Sequence, residues 1–166
     1  KDSILCVPGN HDINWKLAEV ASLVGDTNLK YNNYNKFAAD NCNKFSKIET
    51  EYYSRFLDHR LGIEFLFLNS CEKEDHENHY GYVDTEKLVR SIIRNMGNGI
   101  EDYTKICLCH HRLEPNGKTP NSIIDNSYEV ETILLENGYN LLFTGHIHEN
   151  RCHKLSRDDK SIIYSG

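Results

Sequence analysis

Ile4-Leu5-Cys6-Val7-Pro8-Gly9-Asn10-His11-Asp12 is an apolar run stopped by Pro-Gly and followed by three side chains able to bind metal or move protons. The pattern is that of a short buried strand ending in a tight turn. Two later blocks repeat it. Ile106-Cys107-Leu108-Cys109 runs into His110-His111, and Leu141-Leu142-Phe143-Thr144 runs into Gly145-His146-Ile147-His148. Strands ending side by side in one sheet would deliver all three loops to its carboxyl edge, where open α/β sheets keep their ligands. Taken singly, a histidine at a strand end is more often structural than a ligand, and Gly9 and Gly145 could be plain turn glycines. Three ordered blocks of one pattern point instead to a shared site.

Composition narrows what that site serves. With 166 residues the chain has room for one domain and a substantial core, but not for two. Lys and Arg number 19 against 25 Asp and Glu, a net charge of -6, which disfavours a broad nucleic-acid-binding face. A phosphate substrate stays compatible with that charge, because bound divalent cations reverse the local field. No apolar stretch approaches the roughly 20 residues that span a bilayer. No signal peptide is visible. The six cysteines form no C-x-x-C pair, and three of them (Cys6, Cys107 and Cys109) fall in expected buried strands. They read as free thiols in a reducing, cytoplasmic compartment.

Outward from the three blocks, strands alternate with helices. Ile4 to Val7 reads as a fully buried strand and Asn14 to Val24 as a helical or irregular excursion ended by Gly25. Tyr34, Phe37, Ala38, Cys42 and Phe45 follow helical spacing, which predicts an amphipathic helix over 31–46. Tyr52 to Leu57 and the almost wholly apolar Ile63 to Leu68 read as neighbouring strands. Asp84 is a good N-cap for a helix with Leu88, Val89, Ile92, Ile93 and Met96 inward and Gly97 as its stop. A second such helix runs over 127–136 with Val130, Ile133 and Leu134 inward, and 152–155 with 161–164 predicts a closing hairpin. The class is α/β, with a mixed sheet or two facing sheets favoured over a purely parallel one. Cys71, Asp40, His153, His76 and His79 read as packing or solvated-loop residues, and Cys107-x-Cys109 as packing on a buried strand.

Gly-Asn-His-Asp, a doubled His after a strand, and Gly-His-x-His, in that order, resemble the calcineurin-like metallophosphoesterases. The two motifs that precede them in that family, Asp-x-His and Gly-Asp-x-x-Asp, do not occur here in the expected place. The resemblance therefore implies a partial metallophosphoesterase domain over 1–166, an αββα sandwich of mixed sheets truncated at both ends and cut from a longer polypeptide. It also implies hydrolysis of a phosphoester at a dinuclear centre of two divalent ions. Imidazole with amide or carboxylate oxygen suits Mn, Fe or Zn. Residue by residue, it implies that Asn10, His110 and His146 hold one ion and that His148 goes to the other. His11 would act on the leaving group, with Asp12 holding its ring, and His111 would be second to the metal or face the substrate. The compact spacing and the doubled His are most similar to the cyclic-nucleotide phosphodiesterase-like branch. The alternative is a binding or scaffold domain that kept the fold and lost catalysis.

Overall fold

The computed structural model describes residues 4–42, 44–45, 48, 51–75, 77–94, 99–113, 123–146, 152–157 and 160–165. Six strands form the larger sheet in the order β3-β4-β5-β6-β8-β7: β3 Ser54–Asp58, β4 Ile63–Phe67, β5 Thr104–Cys109, β6 Tyr139–Thr144, β7 Cys152–Arg157 and β8 Lys160–Ser165. Its centre is parallel (β4, β5, β6, β8), and an antiparallel strand closes each edge. Helix α3, Thr85–Ile93, connects β4 to β5, and α4, Ser127–Glu136, connects β5 to β6. Parallel neighbours require such crossovers.

Both faces of this sheet are apolar, as a layer inside a sandwich must be. Leu66, Cys107 and Leu142 lie in register on one face and pack with Ile162 against Leu88 and Ile92 of α3 and Val130, Leu134 and Leu135 of α4. The register puts Phe56, Phe65, Ile106, Leu141 and Ile163 on the opposite face, beside a second row of Phe67, Leu108 and Phe143. Burial there falls from Phe67, fully enclosed, to Ile163 and Phe143, 39 % and 44 % exposed. The α/β, mixed-sheet sandwich expected from the sequence is the observed class. No described helix is long and apolar enough to cross a membrane.

The first block does not belong to this sheet. Strand β1, Leu5–Cys6, pairs in parallel with β2, Lys44–Phe45, in a separate two-stranded sheet, and is only half-buried. Two facing sheets, rather than one continuous edge, therefore carry the three blocks. Helices α1, Trp15–Val24, and α2, Asn32–Asn41, follow β1. Asn14 caps α1 by accepting from the Leu17 amide, and Gly25 ends it in the left-handed region.

The helix expected over 31–46 is shorter. Cys42 turns extended after α2 (φ -107°, ψ 134°) and the chain enters β2, so Phe45 is a strand residue. Tyr34, Ala38 and Cys42 face inward, while Phe37 is 57 % exposed. In α3 the inward stripe is Lys87, Leu88, Ser91 and Ile92, with Val89 and Ile93 outside. Asp84 caps it as expected, accepting from the Lys87 amide at 2.9 Å. Met96 and Gly97 lie outside the described residues.

One charged group sits at the heart of the larger sheet. Glu64, fully buried on β4, accepts through Oε1 from both Arg55 of β3 and the hydroxyl of Tyr139 of β6. Removing one partner from a buried pair leaves the other charge uncompensated. Glu64→Ala is expected to lower stability by about 3–5 kcal/mol in urea unfolding. Pairing it with Arg55→Met should recover much of that loss; no recovery would mean Glu64 acts through packing alone.

Candidate active site

Three loops from two sheets meet at one point. The first is a 3₁₀ turn, Asn10–Asp12, with three residues between it and the end of β1. Gly9 precedes it in extended conformation, and the turn closes on itself: the Asp12 amide donates to the Gly9 carbonyl at 3.0 Å, and the Gly9 amide donates to Asp12 Oδ2 at 2.9 Å. This reciprocal pair satisfies groups that a helix start leaves bare. The Asp12 carboxylate thus caps the turn through the Gly9 amide. His11 itself is exposed.

The second loop leaves β5 at His110-His111, and the third leaves β6 at Gly145-His146. The Gly145 amide donates to the His110 carbonyl at 3.1 Å, carrying the pairing of β5 and β6 just past their ends. The chain then turns sharply at His146, the one non-glycine with positive φ (71°) among the described residues. For a bulky residue this left-handed backbone is strained, and such strain gathers at functional sites. It swings the ring back over the end of β5.

The donor atoms converge. Asn10 Oδ1 lies 2.9 Å from His110 Nε2, and His146 Nδ1 lies 3.0 Å from the same nitrogen. The rings of His110, His111 and His146 stand within 5.0 Å of one another, centroid to centroid. Separations of about 3.0 Å are ordinary hydrogen-bond lengths; donors to one ion at bonds of about 2.1 Å stand about 3.0 Å apart at right angles and about 3.4 Å apart at a tetrahedral angle. Neutral imidazoles and an amide oxygen also suit a divalent transition ion chemically. The residues fit a metal. His148 lies outside the described residues.

His111 differs from its neighbour. Nothing of it reaches solvent. Its amide donates to Ser70 Oγ at 3.1 Å, and its Nδ1 sits 2.9 Å from the same oxygen. Burial first, and then the neighbouring His110 and His146, push its pKa down to about 3, so the ring is neutral throughout the physiological range.

Room for the two adjacent rings comes from glycines. A Cβ on Gly9 would meet the His110 ring at 2.8 Å, and one on Gly81 would meet His111 Cγ at 2.7 Å. Gly81 is held there by bridges: Cys71 pairs with Tyr82 and Gly81 with Ile124, and the Asp125 amide donates to the Gly81 carbonyl at 2.8 Å. Ser70 and Gly81 are site residues that the sequence reading missed. Gly81, between two tyrosines in a polar loop, was the available signal.

Elsewhere, Trp15 meets His79 with ring centroids 4.8 Å apart. Behind the cluster, the buried Lys30 ammonium donates to the carbonyls of Cys71, Glu72 and Glu74, and the Tyr31 hydroxyl donates to that of Cys71. Burial lowers the Lys30 pKa and raises that of Glu74.

A family model described as calcineurin-like phosphoesterase matches residues 1–150. No curated protein matches the chain at a significant level.

The glycine contacts give a graded expectation. Gly81→Ala and Gly9→Ala should each cost about 1–3 kcal/mol by overpacking against a ring. Gly145→Ala, whose methyl would lie 3.4 Å from His110 Nδ1, should cost much less. Equal losses at all three positions, measured by thermal melts, would show that ring contact is not the reason.

Proposed function

The chain belongs to the calcineurin-like phosphoesterase family, and within it we propose that Asn10, His110 and His146 hold one divalent ion of a phosphoester-hydrolysing centre. The family's general activity is metal-dependent hydrolysis of phosphoester bonds. The observation that carries the assignment is the convergence of Asn10 Oδ1 and His146 Nδ1 on His110 Nε2, at 2.9 and 3.0 Å. In the full reading the centre is dinuclear, and His148 serves the second ion. Mn, Fe or Zn fits the donor chemistry.

Ions bound there would neutralise phosphoryl oxygens and supply an activated water. The chain's own residues do the rest. Asn10 and the two imidazoles present neutral donors, so the ions keep their full charge for an anionic substrate. His11, exposed one residue beyond Asn10, would hand a proton to the departing oxygen. Asp12 keeps the turn closed through Gly9, which fixes where both Asn10 and His11 start. A phosphodiester or phosphomonoester is the substrate class. The net charge of -6 makes nucleic acid the less favoured form of it. Six free thiols support a reducing, cytoplasmic setting.

Two variants separate ligand from proton donor. His146→Ala should lower both metal content, by elemental analysis, and turnover of a chromogenic phosphodiester. Unchanged metal stoichiometry would remove His146 from the ligand set. His11→Ala should keep its metal and lose on the order of 10²–10⁴ in rate. Loss of metal there would make His11 a ligand instead, and firm metal binding without any turnover in the unaltered protein would favour a binding domain.

A further inference from the structure

His111 joins a second group of side chains. A ligand atom from each of Cys71, Glu74 and His111 lies within 4.8 Å of the others, and all three residues are fully enclosed. Two of their atoms, Glu74 Oε2 and His111 Nε2, have no hydrogen-bond partner. They stand 4.0 Å apart, too far to bond each other. Two orphaned polar atoms facing one another across a buried gap need something between them.

We infer that Cys71 Sγ, Glu74 Oε2 and His111 Nε2 form a second, separate site for one zinc-type divalent ion. One thiolate, one carboxylate and one neutral imidazole would balance a dication within its own ligand set, with the Lys30 ammonium outside it on the backbone carbonyls. Tetrahedral bonds of about 2.0–2.3 Å place donors roughly 3.3–3.8 Å apart, so the observed spacing closes with shifts of about 1 Å. The surroundings favour that closure. Ser70 Oγ fixes the ring from Nδ1 and leaves Nε2 toward Glu74, the usual support behind a metal-binding imidazole. Lys30 and Tyr31 anchor the backbone of the turn that carries Cys71 and Glu74.

The simpler explanation for Glu74 is a counter-charge to Lys30. The Lys30 ammonium, however, spends its hydrogen bonds on three carbonyls. Burial holds the Cys71 thiol well above its ordinary value and raises Glu74 as well. Binding breaks the Cys71 S–H bond and forms a sulfur–metal bond. The protons leave to solvent, and no electron changes hands. Thiolate selects zinc over manganese, which sets this site apart from the all-nitrogen-and-oxygen donor set of Asn10, His110 and His146.

Cobalt(II) added to the purified, metal-stripped protein is the probe, because a thiolate bound to cobalt absorbs in the near ultraviolet by charge transfer. The expected band persists in His146→Ala and vanishes in Cys71→Ser. Glu74→Gln, nearly isosteric, should weaken the cobalt binding read at that band by at least about tenfold; should Cys71→Ser fail to fold, this variant carries the test. No band in the unaltered protein, a band surviving Cys71→Ser, or unchanged affinity in Glu74→Gln overturns the inference. A band lost in His146→Ala as well would mean one merged centre, and would overturn the claim of a separate site.

Discussion

Two imidazoles side by side at the end of one strand must be kept apart and aimed differently, and the rest of the site follows from how this is done. His110 and His111 leave β5 with their rings nearly perpendicular, 85° between planes. Each lies against a backbone with no side chain, Gly9 for one and Gly81 for the other. The two glycines come from opposite parts of the molecule: Gly9 from the loop after β1, and Gly81 from the strip that also pairs with Ile124. Fixing these rings thus docks the small sheet and the long loop onto the large sheet. The hydrogen bond from the Gly145 amide to the His110 carbonyl adds the third loop to the same anchor.

Buried charges are held in two different ways, one at the opening end of the parallel strands and one behind the site. Glu64 meets Arg55 and Tyr139 within the sheet, side chain to side chain. Lys30 instead gives its ammonium to main-chain carbonyls of the 71–74 turn. The first arrangement ties together strands far apart in sequence. The second converts an irregular turn into a rigid shelf behind the site, since a turn whose carbonyls point inward would otherwise leave buried acceptors bare.

Local sequence carried the class and the three blocks, because strand, turn and histidine are neighbours along the chain. What it could not carry was pairing at a distance. Ile4 to Val7 has the composition of a central strand, yet its partner is Lys44–Phe45, and no local signal says so. Phe37 keeps helical spacing but sits on the exposed side of α2, because the helix ends at Cys42 before a wide apolar face can form. Asp12 reaches back to the Gly9 amide within one turn, a bond that its place beside His11 does not announce. Cys71, an ordinary packing residue by its neighbours, acquires chemistry only when the fold brings His111 to it from 40 residues away. Ser70 is missed for the same reason, its bond to His111 spanning 41 positions.

The spacing of the donors also has a consequence for biosynthesis. Asn10 and His110 are 100 residues apart, and His110 and His146 another 36. A chain made from its amino end, at about 5–20 residues per second, exposes Asn10 for seconds before either imidazole exists. During that interval the two imidazoles proposed to join Asn10 have not yet been made. If these three side chains share an ion, as proposed, its capture would be a late event, reserved for chains whose β5 and β6 have already found each other.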